Sequence, residues 1–239
     1  QRIANPCTPV RFRTWPPISE NGSEILSQGD VIGLILSGGQ ATRLGNVRKA
    51  TLLVGGKRLL DRVIDSIGPQ TSRILLAAGQ HDPQLFADQG SVEAIADGMF
   101  HGYGPISGIA AAVAALREQG ESGKFLLTVA ADTPFFPTDF VHRARTLLAA
   151  GGVDAAVGAW GGQVYPTNAL WRLSALQTLP TSLQTGTLSP GIKALLRSLN
   201  HALVDYSESA HDPFSNVNTI ADLMEMNRRA AGDRSGAPR

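Results

Sequence analysis

Residues 31–49 read VIGLILSGGQATRLGNVRK. The first six are apolar and partly β-branched, which is typical of a buried parallel strand. Two adjacent glycines, Gly38 and Gly39, follow almost at once, and they allow a tight turn whose N–H groups face a ligand. Arg43 and Lys49 add two cations just beyond that turn. Because an amide cradle with an Arg and a Lys suits a polyphosphate, the stretch predicts a nucleotide site at a strand end.

The loop matches neither of the two best-known phosphate loops. The P-loop requires Gly-Lys-Ser/Thr, and the dinucleotide fingerprint requires a third glycine that opens a helix. Here the pattern is Gly-Gly-x-x-x-Arg-x-Gly-x-x-x-Lys. It resembles the signature of nucleotidyltransferases that move an NMP from an NTP onto a phosphate. The alternative is an ordinary strand-to-helix turn with Arg43 and Lys49 as solvated surface charges.

Composition bounds the class of protein. With 239 residues, 43% hydrophobic and 17% charged, the chain can bury a sizeable core as one domain. A net charge of +1 gives no case for an extended nucleic-acid or membrane surface. The single cysteine, Cys7, excludes an internal disulfide framework and is compatible with a reducing cytoplasm. No apolar run is long enough to cross a bilayer, so we expect a cytoplasmic protein without nucleic-acid or membrane partners.

Strand and helix patterns alternate along the first 150 residues. This alternation predicts an α/β fold: a doubly wound, mostly parallel sheet with helices on both faces. The run at 124–130 is the most continuous apolar segment, which predicts a central strand. Apolar spacing predicts a helix from Lys57 to Ile67. We place the domain at residues 30–230, between a flexible N-terminal arm (1–29) and a flexible C-terminal tail (231–239).

The predicted strands end in chemically suitable residues. Besides Gly38 and Gly39, these ends carry Ala77, Asp97 and Asp132. Ligands of such sheets bind beyond the carboxyl ends of the strands, so these segments are expected to meet at one edge. The Asp132 carboxylate is a hard oxygen ligand of the kind that Mg²⁺ prefers. Alternatively, Asp132 and Asp97 are turn residues, for which aspartate is common.

Two other kinds of site are not indicated. The five histidines are scattered through different segments without a cysteine or histidine cluster, so a zinc site is not expected. No Gly-x-Ser-x-Gly elbow is present and Ser37 has no evident base, which argues against serine nucleophile chemistry.

The order of motifs is similar to that of the molybdenum cofactor guanylyltransferases, from about residue 31 to about residue 227. The resemblance rests on the Gly-Gly loop with its two cations, on Asp97, and on four later motifs. These are GPISG at 104–108, DTP at 132–134, YPT at 165–167 and FSNVNT at 214–219.

The resemblance implies specific roles. The implied nucleotide site comprises Leu36, Ser37, Gly38, Gly39, Lys49, Ala77, Asp97, Gly104, Pro105, Gly108 and Asp132. The implied catalytic residues are Arg43, Lys49 and Asp132. Mg²⁺ would be held by Asp132 and Asn218, and the pterin would lie near Pro166, Thr167, Asn216 and Asn218. Leu36, Ser37 and Gly38 would contact the nucleotide through their backbone.

Some of these residues also have simpler explanations. Asn216 and Asn218 suit an Asx turn or a helix cap, with Thr219 as the N-cap of the last helix. Gly104, Pro105 and Gly108 suit the start of a helix.

The implied function is transfer of GMP from GTP to the terminal phosphate of molybdopterin, with the product passing to a recipient molybdoenzyme or its chaperone. The sequence departs from the family pattern in the nucleotide pocket. Arg48 replaces an acidic residue, Thr42 a basic one, and Ala77 and Gly79 replace asparagines. Two alternatives therefore stay open. One is a transferase of the same fold that uses CTP or another NTP on a different small phosphate. The other is a non-catalytic, pterin-binding maturation chaperone.

Overall fold

A computed structural model of the chain describes residues 30–37, 52–77, 79, 92–100, 102–121 and 125–235. The predicted N-terminal arm and the loop with Gly38, Gly39, Arg43 and Lys49 lie outside these residues. In the described part, no helix combines the length and apolar composition needed to cross a membrane.

A seven-stranded sheet forms the centre of the molecule, and a two-stranded hairpin lies beside it. The strands are β1 (Val31–Leu36), β2 (Leu53–Val54), β3 (Lys57–Arg58), β4 (Arg73–Ala77), β5 (Val92–Ile95), β6 (Phe125–Ala130), β7 (Ala155–Trp160), β8 (Gln163–Arg172) and β9 (His201–Asp205). The helices are α1 (Leu59–Ile67), α2 (Pro105–Glu118), α3 (Phe140–Ala149), α4 (Leu179–Gln184), α5 (Ile192–Arg197) and α6 (Ile220–Ser235).

The strand order in the sheet is β5-β4-β1-β6-β8-β7-β9. All neighbouring strands are parallel except for the two pairs that β8 makes with β6 and β7. The fold class predicted from the sequence is therefore confirmed. β6 is the middle strand and all six of its residues are buried, as its continuous apolar run predicted.

Helices cover both faces of this sheet. One core lies between the sheet and α2, α4 and α5, and a second lies between the sheet and α1 and α3. Helix α1 shows why the sequence folds this way, since Leu59, Leu60, Val63 and Ile67 are spaced along one side and all four are buried. A smaller third core joins α6 to the hairpin through Val54, Leu59, Val217, Met226 and Ala230.

Two boundaries differ from the sequence prediction. Lys57 and Arg58 pair with Val54 and Leu53 as a hairpin instead of beginning a helix, which starts at Leu59. Gly55 and Gly56, with φ of 59° and 79°, supply the two positive φ angles that a tight two-residue hairpin loop requires. At the other end of the chain, α6 continues to Ser235, into the segment predicted as a flexible tail from residue 231.

Candidate functional site

The carboxyl ends of β1, β4 and β6 form one aligned row. Leu36 is in register with Ala77 on one side and with Ala130 on the other. Just beyond the strands, the Ser37 N–H donates to the Ala77 carbonyl at 3.1 Å, and the Ala131 N–H donates to the Leu36 carbonyl at 3.1 Å. The predicted nucleotide loop therefore leaves the sheet from a fixed point at the centre of this edge.

These same hydrogen bonds limit what Leu36 and Ser37 can offer a ligand. The Ser37 N–H is engaged with Ala77, so a nucleotide contact from Ser37 has to come from its carbonyl or its side chain. The predicted backbone contact of Ser37 would therefore come from its carbonyl. The residues beyond it, Gly38 and Gly39, lie outside the described residues.

Helix α2 approaches the row of strand ends very closely at Gly108. A Cβ placed on Gly108 would lie 2.6 Å from Ala77 Cβ, 3.2 Å from Leu36 Cδ2 and 3.8 Å from Asp97 Oδ1. Four residues predicted to bind the nucleotide are therefore brought together: Leu36, Ala77, Asp97 and Gly108. The absence of a side chain at 108 is required for this packing.

Gly104 and Pro105 shape the start of α2. Gly104 precedes the helix with φ 74° and ψ −147°, and Pro105 is its first residue. The Tyr103 N–H donates to Ser107 Oγ at 3.1 Å, and the Ser107 N–H to the Gly104 carbonyl at 2.9 Å. This arrangement agrees with the simpler explanation for the GPISG motif, in which its residues form the start of a helix. It also places that loop beside Asp97, whose own carbonyl accepts from the Phe100 N–H in a turn.

Asp132 is brought next to the FSNVNT segment, although the two are far apart in the sequence. The Val217 N–H donates to the Asp132 carbonyl at 3.3 Å, and Thr133 Oγ1 donates to Asn216 Oδ1 at 3.0 Å. The Asp132 side chain is half-buried and Asn218 is exposed. The predicted metal residues thus lie on two adjacent segments at the carboxyl end of β6.

Thr219 is the N-cap of α6, as its position in the sequence predicted. The Asp222 N–H donates to Thr219 Oγ1 at 3.1 Å, and Asp222 Oδ2 accepts from the N–H groups of Asn218 and Thr219 at 2.9 and 2.8 Å. Asn218 is therefore held in place directly before the N-cap of α6.

The FSNVNT segment is anchored to the sheet by Phe214. Its ring is fully buried among Phe136, Phe140, Tyr165 and Tyr206. Gly158 of β7 lies directly beneath this ring, since a Cβ placed on Gly158 would lie 2.7 Å from Phe214 Cζ.

Tyr165 and Asp212 hold the start of the same segment. Tyr165 Oη donates to Asp212 Oδ2 at 2.6 Å, and the Phe214 N–H donates to Asp212 Oδ1 at 2.8 Å. Arg229 of α6 donates to the Asp212 carbonyl at 2.8 Å. Burial, and then the hydrogen bond to Asp212, raise the pKa of Tyr165, so its hydroxyl stays protonated and serves as a donor.

Pro166 and Thr167 lie in an irregular part of β8. Strand β7 pairs Val157 with Ala169 but Gly158 with Tyr165, so residues 166–168 bulge out of the ladder. The bulge lies on β8, the strand next to β6 in the sheet. It connects to β6 through Asn168, whose Oδ1 accepts from the Ala130 N–H at 3.1 Å.

Sequence analysis did not single out Asn168, Thr133, Asp212 or Gly158. Asn168 directly follows the YPT motif and Thr133 lies inside the DTP motif, so both were close to recognised positions. Asp212 and Gly158 act through partners far away in the chain, and no local pattern marks them.

A surface cleft of about 360 Å³ opens beside this region, between Phe135–Asp139 and Tyr206–Ser209. Its charged groups are already paired. Arg143 lies 4.0 Å above the Tyr206 ring and donates to Glu208 at 2.6 Å, and Tyr206 Oη donates to Asp139 at 2.7 Å. The cleft holds none of the residues predicted to bind nucleotide or pterin.

Residues 33–203 match the family described as MobA-like NTP transferase domain. The chain belongs to this family. It is 33% identical over 204 residues to a molybdenum cofactor guanylyltransferase of Bradyrhizobium sp. (strain ORS 278), covering 84% of this chain and 93% of that relative. It is 35% identical to another of the same name from Cereibacter sphaeroides, covering 81% of this chain and 93% of the relative. The resemblance stated from the motifs is therefore confirmed, and the protein is a nucleotidyltransferase.

Solved structures of MobA-like and related proteins share its fold. Molybdopterin-guanine dinucleotide biosynthesis protein A from Archaeoglobus fulgidus aligns with a TM-score of 0.63 at 24% identity, covering 84% of this chain and 99% of that one. A 2-C-methyl-D-erythritol 4-phosphate cytidylyltransferase from Thermus thermophilus aligns with a TM-score of 0.59 at 19% identity, covering 84% and 99%. Since the fold occurs with both names, it does not by itself select the base.

Proposed function

We propose that this MobA-like protein transfers GMP from GTP to the terminal phosphate of molybdopterin, releasing pyrophosphate and forming molybdopterin guanine dinucleotide. The names of its relatives at 33–35% identity support this reaction. The structural observation that carries it is the meeting of Asp132 with the Asn216–Asn218 segment. That meeting occurs at the sheet edge from which the predicted nucleotide loop also leaves.

The chemistry requires positioning and charge neutralisation more than proton transfer. The acceptor phosphate is already anionic, so it attacks the α-phosphorus in line without a general base from the protein. Arg43 and Lys49 would neutralise charge on the phosphates, and the Gly38 and Gly39 amides would orient them. Leu36, Ala77, Asp97 and the Gly104–Gly108 loop would surround the nucleoside.

The residues present fit a magnesium ion. Asp132 would contribute one carboxylate and Asn218 one amide oxygen, and Mg²⁺ commonly takes one or two protein groups together with waters and substrate phosphates. Among the described residues, no group of three or more His, Cys, Asp or Glu side chains clusters closely enough to hold a metal on its own. When bound, Mg²⁺ would neutralise charge on the phosphates. The role of Asp132 would be to fix its position.

The product would then pass to a recipient molybdoenzyme or its chaperone.

Two substitutions test the assignment of catalytic roles. Lys49→Ala and Asp132→Asn should each lower pyrophosphate release from GTP and molybdopterin by about 100-fold or more, because each removes a charge that stabilises the transition state. Lys57→Ala is the matched control, since the Lys57 side chain is 43% exposed on β3 and pairs with Asp65. It should leave turnover within about twofold of the original protein.

Thermal unfolding of all three variants separates catalysis from stability. The assigned roles are supported if Lys49→Ala and Asp132→Asn have lost turnover but keep a melting temperature close to that of the original protein. Near-normal turnover in Lys49→Ala would overturn the role assigned to the lysine, and an unchanged Mg²⁺ requirement in Asp132→Asn would overturn the role of the carboxylate.

A further inference from the structure

Asn168 is a buried polar side chain whose carbonyl oxygen is hydrogen-bonded and whose NH₂ group is not. The residue is fully buried on β8, and its Oδ1 accepts from the Ala130 N–H at 3.1 Å. Its Nδ2 is buried as well and has no hydrogen-bond partner in the described part of the protein. Since buried amide groups nearly always find partners, this donor requires an explanation.

The orientation of the Asn168 carboxamide is determined by its partner. A backbone N–H can only donate, so the atom that faces Ala130 has to be the carbonyl oxygen. The NH₂ group therefore points away from Ala130. Exchanging the two ends of the amide would leave Ala130 facing a second donor, and so it is not an alternative.

The backbone around Asn168 explains why its side chain bonds to β6. The last paired residues of β6 and β8 are Thr128 and Ala169, beyond which the ladder between the two strands ends. Residues 166–168 also leave the β7 ladder. The Asn168 side chain replaces the missing strand partner at Ala130, two residues before Asp132. At this split, where the pairing of β6 and β8 ends near the carboxyl edge, the Asn168 amide lies between the two strands.

The order of strands indicates which substrate this split faces. The residues predicted to surround the nucleoside lie on β1, β4 and α2 and just after β5, on one side of β6. Asn168 lies on the other side of β6, on β8 directly after the predicted pterin residues Pro166 and Thr167. The split therefore lies on the side that is predicted to hold the acceptor.

We propose that the Asn168 Nδ2 donates a hydrogen bond to the terminal phosphate of the acceptor, directly or through one ordered water, and so positions it for attack. This inference rests on the proposed function. An N–H donor suits an anionic phosphate oxygen, and a bond to a charged acceptor is stronger than one between neutral groups. Asn168 is a binding and positioning residue for molybdopterin and contributes nothing to the GTP site.

The simpler role for Asn168 is structural, in which only its Oδ1 matters because it caps the Ala130 N–H. Asn168→Asp separates the two roles, since it keeps an acceptor for Ala130 and replaces the donor with an oxygen. At about pH 8, with the Ala130 N–H favouring the ionised form, that oxygen repels a phosphate. Asn168→Ala is a second variant that removes both functions.

Thr128→Ala is the matched control. Thr128 is fully buried on the same strand pair, and its Oγ1 accepts from Trp171 Nε1 at 2.9 Å. Like Asn168→Ala, this change truncates a buried polar side chain and leaves one donor, here the indole N–H, without its partner. It should therefore lower the melting temperature by a similar amount without touching the acceptor side.

The test measures KM for molybdopterin and for GTP, together with the melting temperature. Asn168→Asp and Asn168→Ala should raise the KM for molybdopterin about tenfold or more, as expected for loss of one hydrogen bond to a charged group. The KM for GTP should stay within about twofold, and Thr128→Ala should leave both KM values within about twofold. Equal KM values for molybdopterin in Asn168→Asp and the original protein, or an equal rise in Thr128→Ala, would overturn the proposal.

A direct measurement of molybdopterin binding tests this inference independently of the proposed function. If the original protein releases no pyrophosphate, the proposed reaction fails by itself. Equilibrium binding of molybdopterin, which needs no turnover, then decides the role of Asn168. Weaker binding by about tenfold in Asn168→Asp and Asn168→Ala, but not in Thr128→Ala, supports the assignment. Unchanged binding in these variants, or no binding by the original protein, overturns it.

Discussion

Gly108 is the residue where α2 and β4 come closest. An added Cβ would lie 2.6 Å from Ala77 Cβ, and both atoms are attached directly to backbone, so neither can rotate away. We expect Gly108→Ala to destabilise the fold, because overpacking costs about 1–3 kcal/mol while alanine gains only about 1 kcal/mol over glycine in a helix. The KM for GTP should rise as well, since Leu36 and Asp97 lie against the same point.

Urea unfolding measures this effect. Gly232→Ala is the control, because Gly232 lies within α6 and has nothing within 4 Å of an added Cβ. That change should be neutral or stabilising by up to about 1 kcal/mol. A Gly108→Ala protein as stable as Gly232→Ala would show that α2 does not pack against Ala77 as described.

Tyr165 and Tyr206 make stability depend on pH in the alkaline range. Burial, and then hydrogen bonds to Asp212 and Asp139, raise the pKa of each hydroxyl above its ordinary value of about 10. The folded protein therefore holds these protons more tightly than the unfolded chain. The stabilisation is fully present below about pH 10 and is lost as the pH rises further, with a slope of at most about 1.4 kcal/mol per pH unit for the buried Tyr206.

Replacing both tyrosines with phenylalanine should flatten this alkaline slope, although it removes two hydrogen bonds and lowers stability at neutral pH. The measurement is the free energy of unfolding in urea at several pH values from about 8 to about 11. Parallel curves for the variant and the original protein would contradict the assignment of the slope to these hydroxyls.

At the scale of elements, the segment 214–218 depends on the fit between Phe214 and β7. Gly158 leaves room for the Phe214 ring, whose Cζ and Cε1 atoms would lie 2.7 and 2.8 Å from an added Cβ. Gly158→Ala should push the ring outwards and move Asn216 away from Thr133. We expect turnover to fall about tenfold or more, because a small misplacement of positioning groups costs rate steeply.

A double-mutant cycle with Phe214→Leu tests this packing. Leucine is smaller than the ring, so Gly158→Ala should cost less stability in the Phe214→Leu background than in the original protein, with a coupling of about 0.5–3 kcal/mol. Additive losses would mean that Gly158 and Phe214 do not constrain each other.

The sequence predicted the elements that have a clear period or continuous burial. Strands β1, β4 and β6 and helix α1 follow from runs such as 31–36 and 125–130, in which every residue is buried. The short α4, Leu179–Gln184, was missed because six residues with Pro180 near the start carry too little periodicity to detect. Strand β3 was missed because it is only two residues long, and helical spacing from Leu59 onwards dominated the pattern.

The candidate site was predictable where it lies at strand ends. Parallel strands bring their carboxyl ends together, so Leu36, Ala77 and Asp132 could be assigned to one edge before the structure was known. The residues that hold the site in place through long-range hydrogen bonds were not predictable from the sequence. Tyr165 and Asp212 are 47 positions apart, and Ala130 and Asn168 are 38 apart. Such contacts depend on the register of β8 and on its bulge, neither of which leaves a local pattern.

At the scale of the whole molecule, the sheet is divided at β6. The predicted nucleotide residues lie on the side of β1, β4 and β5, and the predicted pterin residues Pro166 and Thr167 lie on β8, on the other side of β6. Asp132 follows the strand between them. This arrangement suits a transfer in which the acceptor phosphate attacks the α-phosphorus of GTP in line with the leaving pyrophosphate, because both substrates then meet at the end of β6.

The fold alone does not determine which nucleobase the protein selects, because a cytidylyltransferase shares this fold with a TM-score of 0.59. The predicted nucleotide pocket also contains Ala77 and Gly79 in place of the asparagines of the family pattern. Ala77 is 3% exposed and lies against Gly108, so no larger side chain would fit there without a shift of α2. We therefore expect guanine selection to come from other contacts, among them Asp97 and the Gly104–Gly108 loop.

The most direct test of the central claim is pyrophosphate release from Mg-GTP, with and without molybdopterin, compared with Mg-CTP and Mg-ATP under the same conditions. We predict release with GTP that depends on molybdopterin, and little release with the other two nucleotides. Release with CTP instead of GTP would contradict the assigned base while keeping the fold and the mechanism. No release with any nucleotide, from folded protein that binds molybdopterin, would contradict the enzyme and indicate a pterin-binding chaperone.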